Sequence, residues 1–166
     1  MRMLVLLAVL AAAACVYRFG GESIDEAQVR DLYLRQQHAL EALDHQALCA
    51  LLSEDFTQSM LMRHESEQKH VTMDRTQVCA AGEETIRLLD QIQPAARRSE
   101  FYQYSHTILS VEIAPDKRSA LVEARSTLVT PFLRTTTRTH DTIVRRRWRT
   151  YASASEGTTW VGPVYR

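Results

Sequence analysis

The stretch LYLRQQHALEALDHQALCALLSEDFTQSM, Leu32 to Met60, changes its periodicity twice, and those changes decide the fold. With Val29 just upstream, Leu32, Gln36, Leu40 and Leu43 recur at helical spacing and form one stripe, apolar except at Gln36. Asp44 ends that run and offers its carboxylate as the cap of a second, short helix, HQALCALLSE. DFTQSMLM, Asp55 to Met62, then reads as a short strand. Upstream, SIDE (Ser23 to Glu26) has the form of a capping box. The Ser23 hydroxyl accepts from the Glu26 amide and the Glu26 carboxylate reaches back, so the long helix is expected to start there.

Downstream, RHESEQKHVTM reads as a loop or an irregular second strand. Asp74 opens a third helix, with Gln77 placed for another capping box. Val78, Ala81, Thr85, Leu88, Leu89 and Ile92 are its expected buried face, and Pro94 its stop. Then the pattern turns extended. EFYQYSHTILSVEIA and SALVEARSTLVT are rich in β-branched and aromatic residues, and PDKR, Pro115 to Arg118, joins them as a turn. Ala120, Val122, Ala124, Ser126 and Leu128 share a face, with Glu123, Arg125 and Thr127 on the other. In the preceding strand Tyr104, His106 and Ile108 share one parity, while Phe101, Leu109, Val111 and Ile113 compete for the core on the opposite one, which leaves the register open, with a bulge as one way out.

A third extended run from Thr135 leads into TIVRRRWRTY, Thr142 to Tyr151. As one straight strand it places Val144, Arg146 and Trp148 on a single face, and an arginine turned inward needs a carboxylate or an anionic ligand. As a hairpin its tip falls at Arg145 to Arg147, without the usual Gly, Asn or Asp. Both geometries stay open at this point. Helices followed by an antiparallel meander give an α+β class with the helices packed on one face of the sheet.

With 166 residues, 45% apolar and 24% charged, the chain suits one domain with one core. Its formal net charge of zero argues against nucleic acid as a partner, because phosphate neutralisation needs a basic surplus. Only Lys69 and Lys117 are lysines and there is no Asn, which excludes N-glycosylation and fits a GC-rich bacterial genome. The N-terminus places Arg2 before an apolar run from Met3 to Tyr17, shorter than the roughly 20 residues of a membrane span. Ala12 to Ala14 supply small residues for cleavage, and Cys15 behind them is a lipidation candidate, with Ala12 where a lipobox has Leu or Val. Residues 1–22 are therefore expected to be a signal peptide or lipoprotein leader, with an uncleaved anchor or a greasy cytosolic helix as alternatives. Residues 23–157 form the domain and 158–166 a tail or last strand. The expected location is a bacterial cell envelope: periplasmic, lipid-anchored or secreted. Cys49 and Cys79 are then a disulfide candidate, against two buried thiols.

The six histidines have no metal-ligand spacing, no nucleophile elbow is present, and no cofactor motif occurs, so neither metal nor cofactor is expected.

Leu32 to Met60, with its long helix ending AL...D, its short helix ending ALLSEDF and the strand behind, resembles the opening of the nuclear transport factor 2-like superfamily. DTIVRRRWR resembles the closing strand pair of such domains. The resemblance covers about Asp25 to Glu156. It implies a cystatin-like cone, a curved antiparallel sheet wrapped around the helices with an internal pocket. The superfamily includes steroid isomerases and polyketide cyclases as well as non-enzymatic members. Laid without gaps over Ala39-Leu40 and Asp44 to Asp55, the isomerase pattern puts its tyrosine on Gln36 and its catalytic aspartate on Met60. A methionine takes no proton, which argues against isomerase chemistry.

The leading expectation is thus an exported binding or assembly module without evident catalytic residues. Its partner would be a small hydrophobic ligand or a protein, with membrane attachment through the N-terminus and a homodimer through the sheet. Pocket candidates are Gln36, Met60, Tyr104, His106, Arg146 and Trp148, although Gln36 is favoured to tie to a sheet backbone group. One alternative is a divergent isomerase- or cyclase-type enzyme using Gln36, His106 and Tyr104. It gains from a titratable pair in hydrogen-bond reach and fails if the cone is filled with apolar side chains. The other is a membrane-anchored assembly factor resembling the periplasmic part of a type IV secretion component, which the short apolar run disfavours.

Overall fold

The computed structural model describes residues 9–10, 14, 20–64, 67–92, 103–130 and 133–163, with 89–92 described for their backbone alone. After a 3-10 turn at Gly20–Glu22 come α1 (Glu26–Glu41), α2 (His45–Ala50), β1 (Leu52–His64), β2 (Glu67–Asp74), α3 (Arg75–Ile92), β3 (Gln103–Ile113), β4 (Ser119–Val129), β5 (Leu133–Arg146) and β6 (Arg149–Pro163). The strands form one sheet in the order β2-β1-β6-β5-β4-β3. The α+β class holds, but the sheet is mixed: β6 lies parallel to β1, Leu52 opposite Ala152 and His64 opposite Val161, while the other pairs are antiparallel. β6 is continuous to Pro163, so 158–163 belong to a last strand.

Helix α1 begins two residues later than SIDE suggests. Asp25 is its N-cap: the Gln28 amide donates to Asp25 Oδ1 at 2.8 Å, and the Asp25 amide donates to Gln28 Oε1 at 3.1 Å. The reason lies in its neighbours. Ile24 before the cap and Val29 after the first turn, 1% and 0% exposed, both belong to the core cluster and form the apolar staple that fixes where the chain enters the helix. That cluster also takes Leu32, Tyr33, Leu51, Ala120, Val122, Ala124 and Ile143, so α1 packs over the middle of the sheet. Asp44 caps α2 through the Ala47 amide at 2.9 Å, as expected, and α2 ends at Ala50, earlier than the sequence suggests.

Asp74 and Gln77 form their reciprocal box at the start of α3, at 3.0 and 2.9 Å. The expected buried face of α3 is not the observed one. Ala81 and Thr85 are exposed and Leu88 is 46% exposed, whereas Val78, Cys79, Gly82 and Ile86 are half-buried. The helix lies beside α2, β1 and β2 at one side of the sheet rather than across its middle, so it covers less. The side chains of Leu89 and Ile92, and Pro94, lie outside the described residues, as does Phe101.

The parity conflict in β3 is settled by a bulge. Ile108 pairs with Ala124 and Ser110 with Glu123, which leaves Leu109 as the extra, exposed residue. Ile108 on one side of it, and Val111 and Ile113 on the other, all pack on the core.

The arginine run is a hairpin. Arg146 pairs with Arg149 across a two-residue turn of Arg147 and Trp148, whose φ values of 49° and 70° are those of a mirror-image turn. Arg146 points outward, its Nη1 and Nη2 donating to Asp55 Oδ1 and Oδ2 at 3.0 and 2.8 Å. The guanidinium holds the Asp55 carboxyl well below the usual carboxylate range. Both side chains are at least half exposed, so solvent and salt screen the pair. Arg146→Ala is expected to cost less than about 1 kcal/mol in urea unfolding, and less still in high salt.

Candidate functional site

A cavity of about 310 Å³ opens between the helices and one face of the sheet. Leu32 and Leu40 of α1, Leu48 and Cys49 of α2, Phe56 and Met60 of β1, and Val78 and Gly82 of α3 supply its apolar wall. The polar wall comes from adjacent strands through the pleat. Tyr104 and His106 stand at alternate positions of β3; Ser126 is opposite His106 on β4; Thr137, Thr139 and Asp141 alternate along β5; Ser155 lies opposite Asp141 on β6. Gly157 keeps β5 and β6 close here, since a Cβ on it would lie 2.2 Å from the Arg138 carbonyl oxygen.

Asp141 is the hub. Tyr33 Oη donates to its Oδ2 at 2.5 Å, Thr139 Oγ1 to Oδ2 at 3.1 Å, and Ser155 Oγ to Oδ1 at 2.6 Å. Burial pushes the carboxyl above its ordinary value, and the three donors, which favour the ionised form, do not cancel that. The Tyr33 phenol is pushed up strongly, first by burial and then by the Asp141 charge and hydrogen bond. Tyr104 is pushed up to about 12 by burial and by Asp141, against a hydrogen bond with Ser126. His106 stacks on both phenols, 5.6 Å from the Tyr33 ring and 6.3 Å from the Tyr104 ring. Burial lowers its pKa, so the ring is neutral at neutral pH.

Of the residues singled out in the sequence, Gln36, Met60, Tyr104 and His106 all line the cavity. Arg146 and Trp148 do not: the hairpin carries them to the end of the sheet, where Arg146 pairs with Asp55 and Trp148 is 46% exposed. The favoured tie of Gln36 to a sheet backbone group is absent. Among the described residues neither its amide nor the His106 ring nitrogens have a hydrogen-bond partner, Ser59 and His70 forming the histidine bond that does occur. Cys49 and Cys79 are joined, with Cα atoms 5.6 Å apart. Cys15 lies outside the described residues. Among those described, no three His, Cys, Asp or Glu side chains cluster as a metal site, and no helix is long and apolar enough to cross a membrane.

Sequence reading missed Tyr33 and Asp141 as site residues. Tyr33 lies four residues after Val29, on the flank of the stripe, and this spacing was the available signal. It also revises the isomerase comparison. Gln36 and Met60 do face the cone, but a phenol enters it from Tyr33, about one turn earlier on α1.

Helices laid over a sheet around an open, mostly apolar cavity define the nuclear transport factor 2-like, cystatin-like architecture, and this chain has that fold. No family model and no curated protein matches the sequence. Solved structures match the fold. A putative scytalone dehydratase from Novosphingobium aromaticivorans superposes with a TM-score of 0.57 at 14% identity, over 84% of this chain and 87% of that one. An NTF-2-like protein of unknown function from Silicibacter pomeroyi gives 0.51 at 15% identity, over 82% and 94%. A domain with a cystatin-like fold from Nostoc punctiforme gives 0.55 at 12% identity, over 81% and 76%. At such identities the likeness is one of fold.

Proposed function

We propose that this domain is an exported binding protein whose cone holds one small, mostly apolar molecule through a polar group directed at Gln36 and His106. One observation carries the reading. Asp141 has its donors within the protein, whereas Gln36 and His106 face the open cavity without protein partners among the described residues. Both side chains are half-buried and line the cavity, so their polar atoms are available to a ligand that enters it. The aliphatic and aromatic remainder suits a hydrocarbon or aromatic body, and the volume is at the lower end of the roughly 300–1,000 Å³ of small-molecule sites. Export is supported by the apolar leader with its small residues and by the disulfide, which persists in oxidising compartments.

The test is a ligand screen by thermal shift, followed by NMR of the histidine rings. A true ligand moves the His106 resonances. Gln36→Leu and His106→Leu are each expected to weaken it by about tenfold, the worth of roughly 1.4 kcal/mol from one lost polar contact, with the fold intact. Binding that survives both substitutions at full strength would refute the reading.

A second reading, a divergent isomerase- or cyclase-type enzyme, is favoured by the neutral imidazole stacked on two phenols and by Tyr33 in hydrogen-bond reach of Asp141. It is separated from simple binding by His106→Gln, which would then abolish turnover while retaining ligand.

A further inference from the structure

The cavity does not account for the basic end of the sheet. The β3–β4 turn carries Lys117 and Arg118, and the β5–β6 turn carries Arg146, Arg147 and Arg149 around Trp148. The segment 20–24 joins them. The Ile24 amide donates to the Lys117 carbonyl at 2.7 Å, the Trp148 amide to the Gly21 carbonyl at 3.0 Å, and Arg145 Nη1 to the Ser23 carbonyl at 2.9 Å. A Cβ on Gly21 would lie 2.6 Å from the Trp148 nitrogen and 2.7 Å from its ring, so glycine is what lets the chain lie against the indole. Acids at this end are partly engaged: Glu22 faces Arg118 at 3.5 Å, Asp55 holds Arg146, and Asp116 accepts from the Arg118 amide, with Asp25 and Glu54 beside them. Lys117, Arg147 and Arg149 have no ion pair among the described residues.

The backbone is costly in the same places. Lys117, Arg147 and Trp148 have φ of 56°, 49° and 70°, the left-handed conformation that Gly or Asn usually supplies. At Arg147 and Trp148 they are what the two-residue turn demands, and Leu43, with φ of 55°, adopts the same conformation away from this end. Arg145 Cζ lies 5.5 Å from the Trp148 ring, and the indole is 46% exposed.

We propose that this end of the domain, through Lys117, Arg147, Trp148 and Arg149, docks on an anionic phospholipid surface. An exposed indole flanked by arginines suits the headgroup layer, where Trp rings lodge and long basic side chains reach phosphate. Each basic residue near an anionic surface is worth roughly fivefold in partition. The chain path agrees. Gly20 follows Cys15 by five residues, which span at most about 18 Å when extended. A lipid on Cys15, or a retained apolar segment, would therefore hold this same end against the bilayer. The surface does not depend on the cavity or its ligand.

The experiment uses the full chain with Trp160→Phe, which leaves Trp148 as the sole indole of the two in the sequence. Partition is measured on vesicles of phosphatidylcholine alone and on vesicles containing phosphatidylglycerol. The leader also carries Arg2 and Arg18, which favour the anionic vesicles, so the turns are read from the change in ratio on substitution. The expected result is at least tenfold tighter partition on the anionic vesicles, weakening with salt, with Trp148 emission shifted to the blue and quenched by brominated lipid. Arg147→Glu with Arg149→Glu should lower that ratio by at least about fivefold. Should that variant lose its far-UV dichroism, Lys117→Gln decides, with an expected loss of about fivefold. Equal partition, an unquenched Trp148 on bound protein, or a ratio unchanged in the folded variants overturns the proposal. So does stronger binding to short single-stranded DNA that the same substitutions abolish, which would reassign the patch to nucleic acid.

Discussion

Reducing the Cys49–Cys79 bond is expected to lower the unfolding free energy by about 3.6 kcal/mol, the loop-entropy value for a separation of 30 residues. For a chain of this length that is a fall of roughly 10 °C in Tm. The loss should not be spread evenly. α1 is fixed by Ile24, Val29, Leu32 and Tyr33, all buried in the main core, whereas α3 presents Ala81, Thr85 and Leu88 to solvent. The disulfide is therefore the firmest tie between α3 and the rest of the domain. Local opening draws on regions with little buried apolar surface, so α3 should exchange its amide hydrogens in the reduced protein well before β4 or β5 does. Val78, Gly82 and Cys49 line the cone, so any molecule held there should also bind more weakly after reduction. Urea unfolding with and without reductant, with Cys49→Ser/Cys79→Ser as the control, measures the first effect and hydrogen exchange the second. An unchanged midpoint, or an α3 as protected as β4 after reduction, would show that packing alone holds the helix.

The weakness of α3 also shows what the sequence makes legible. Local hydrogen-bonding signals were read well: the Asp44 cap, the Asp74–Gln77 box and the Pro115–Arg118 turn each involve groups within a few residues of one another. The bulge at Leu109 was legible because two parities competed for one core. The apolar stripe of α3 was misread because periodicity reports which residues are apolar, not whether a partner surface exists to cover them. At Ser23 the box pattern lost to Asp25, where the burial of Ile24 and Val29 decided between two nearly equivalent caps. The parallel pairing of β1 with β6 had no signal at all. It joins Leu52 to Ala152, and no turn between them encodes the register. The candidate site failed in the same way. Gln36, Met60, Tyr104 and His106 were found on single elements, but the Tyr33–Asp141 contact spans 108 residues, and no local pattern signals it.

Asp141→Ala tests that contact, with an expected loss of about 3 kcal/mol. Removing the carboxylate strands three donors. Tyr33, 6% exposed, and Ser155, 8% exposed, are too well covered to turn fully to water. Each unsatisfied buried donor costs about 1–3 kcal/mol, and relief of the buried charge, together with water entering the cone, offsets part of the sum. Tyr33→Phe removes one donor and leaves none stranded, so it should cost only about 1 kcal/mol. The two changes should be strongly non-additive in a double-mutant cycle. The pH dependence gives an independent check. Burial raises the Asp141 pKa above its unfolded value near 3.8, so the folded state favours the neutral acid. Its contribution is fully present below the unfolded value and is lost as pH rises through the raised one. The wild type should therefore lose stability across that window relative to Asp141→Asn, which does not titrate. Tyr33→Phe removes a donor that favours the carboxylate, so the decline should extend to higher pH. Urea unfolding between about pH 4 and 8 reads all three variants. A wild-type minus Asp141→Asn difference that is flat with pH would mean that the three donors, not burial, govern this carboxylate. The polar wall of the cone would then be built to hold a fixed negative charge rather than a group that exchanges a proton.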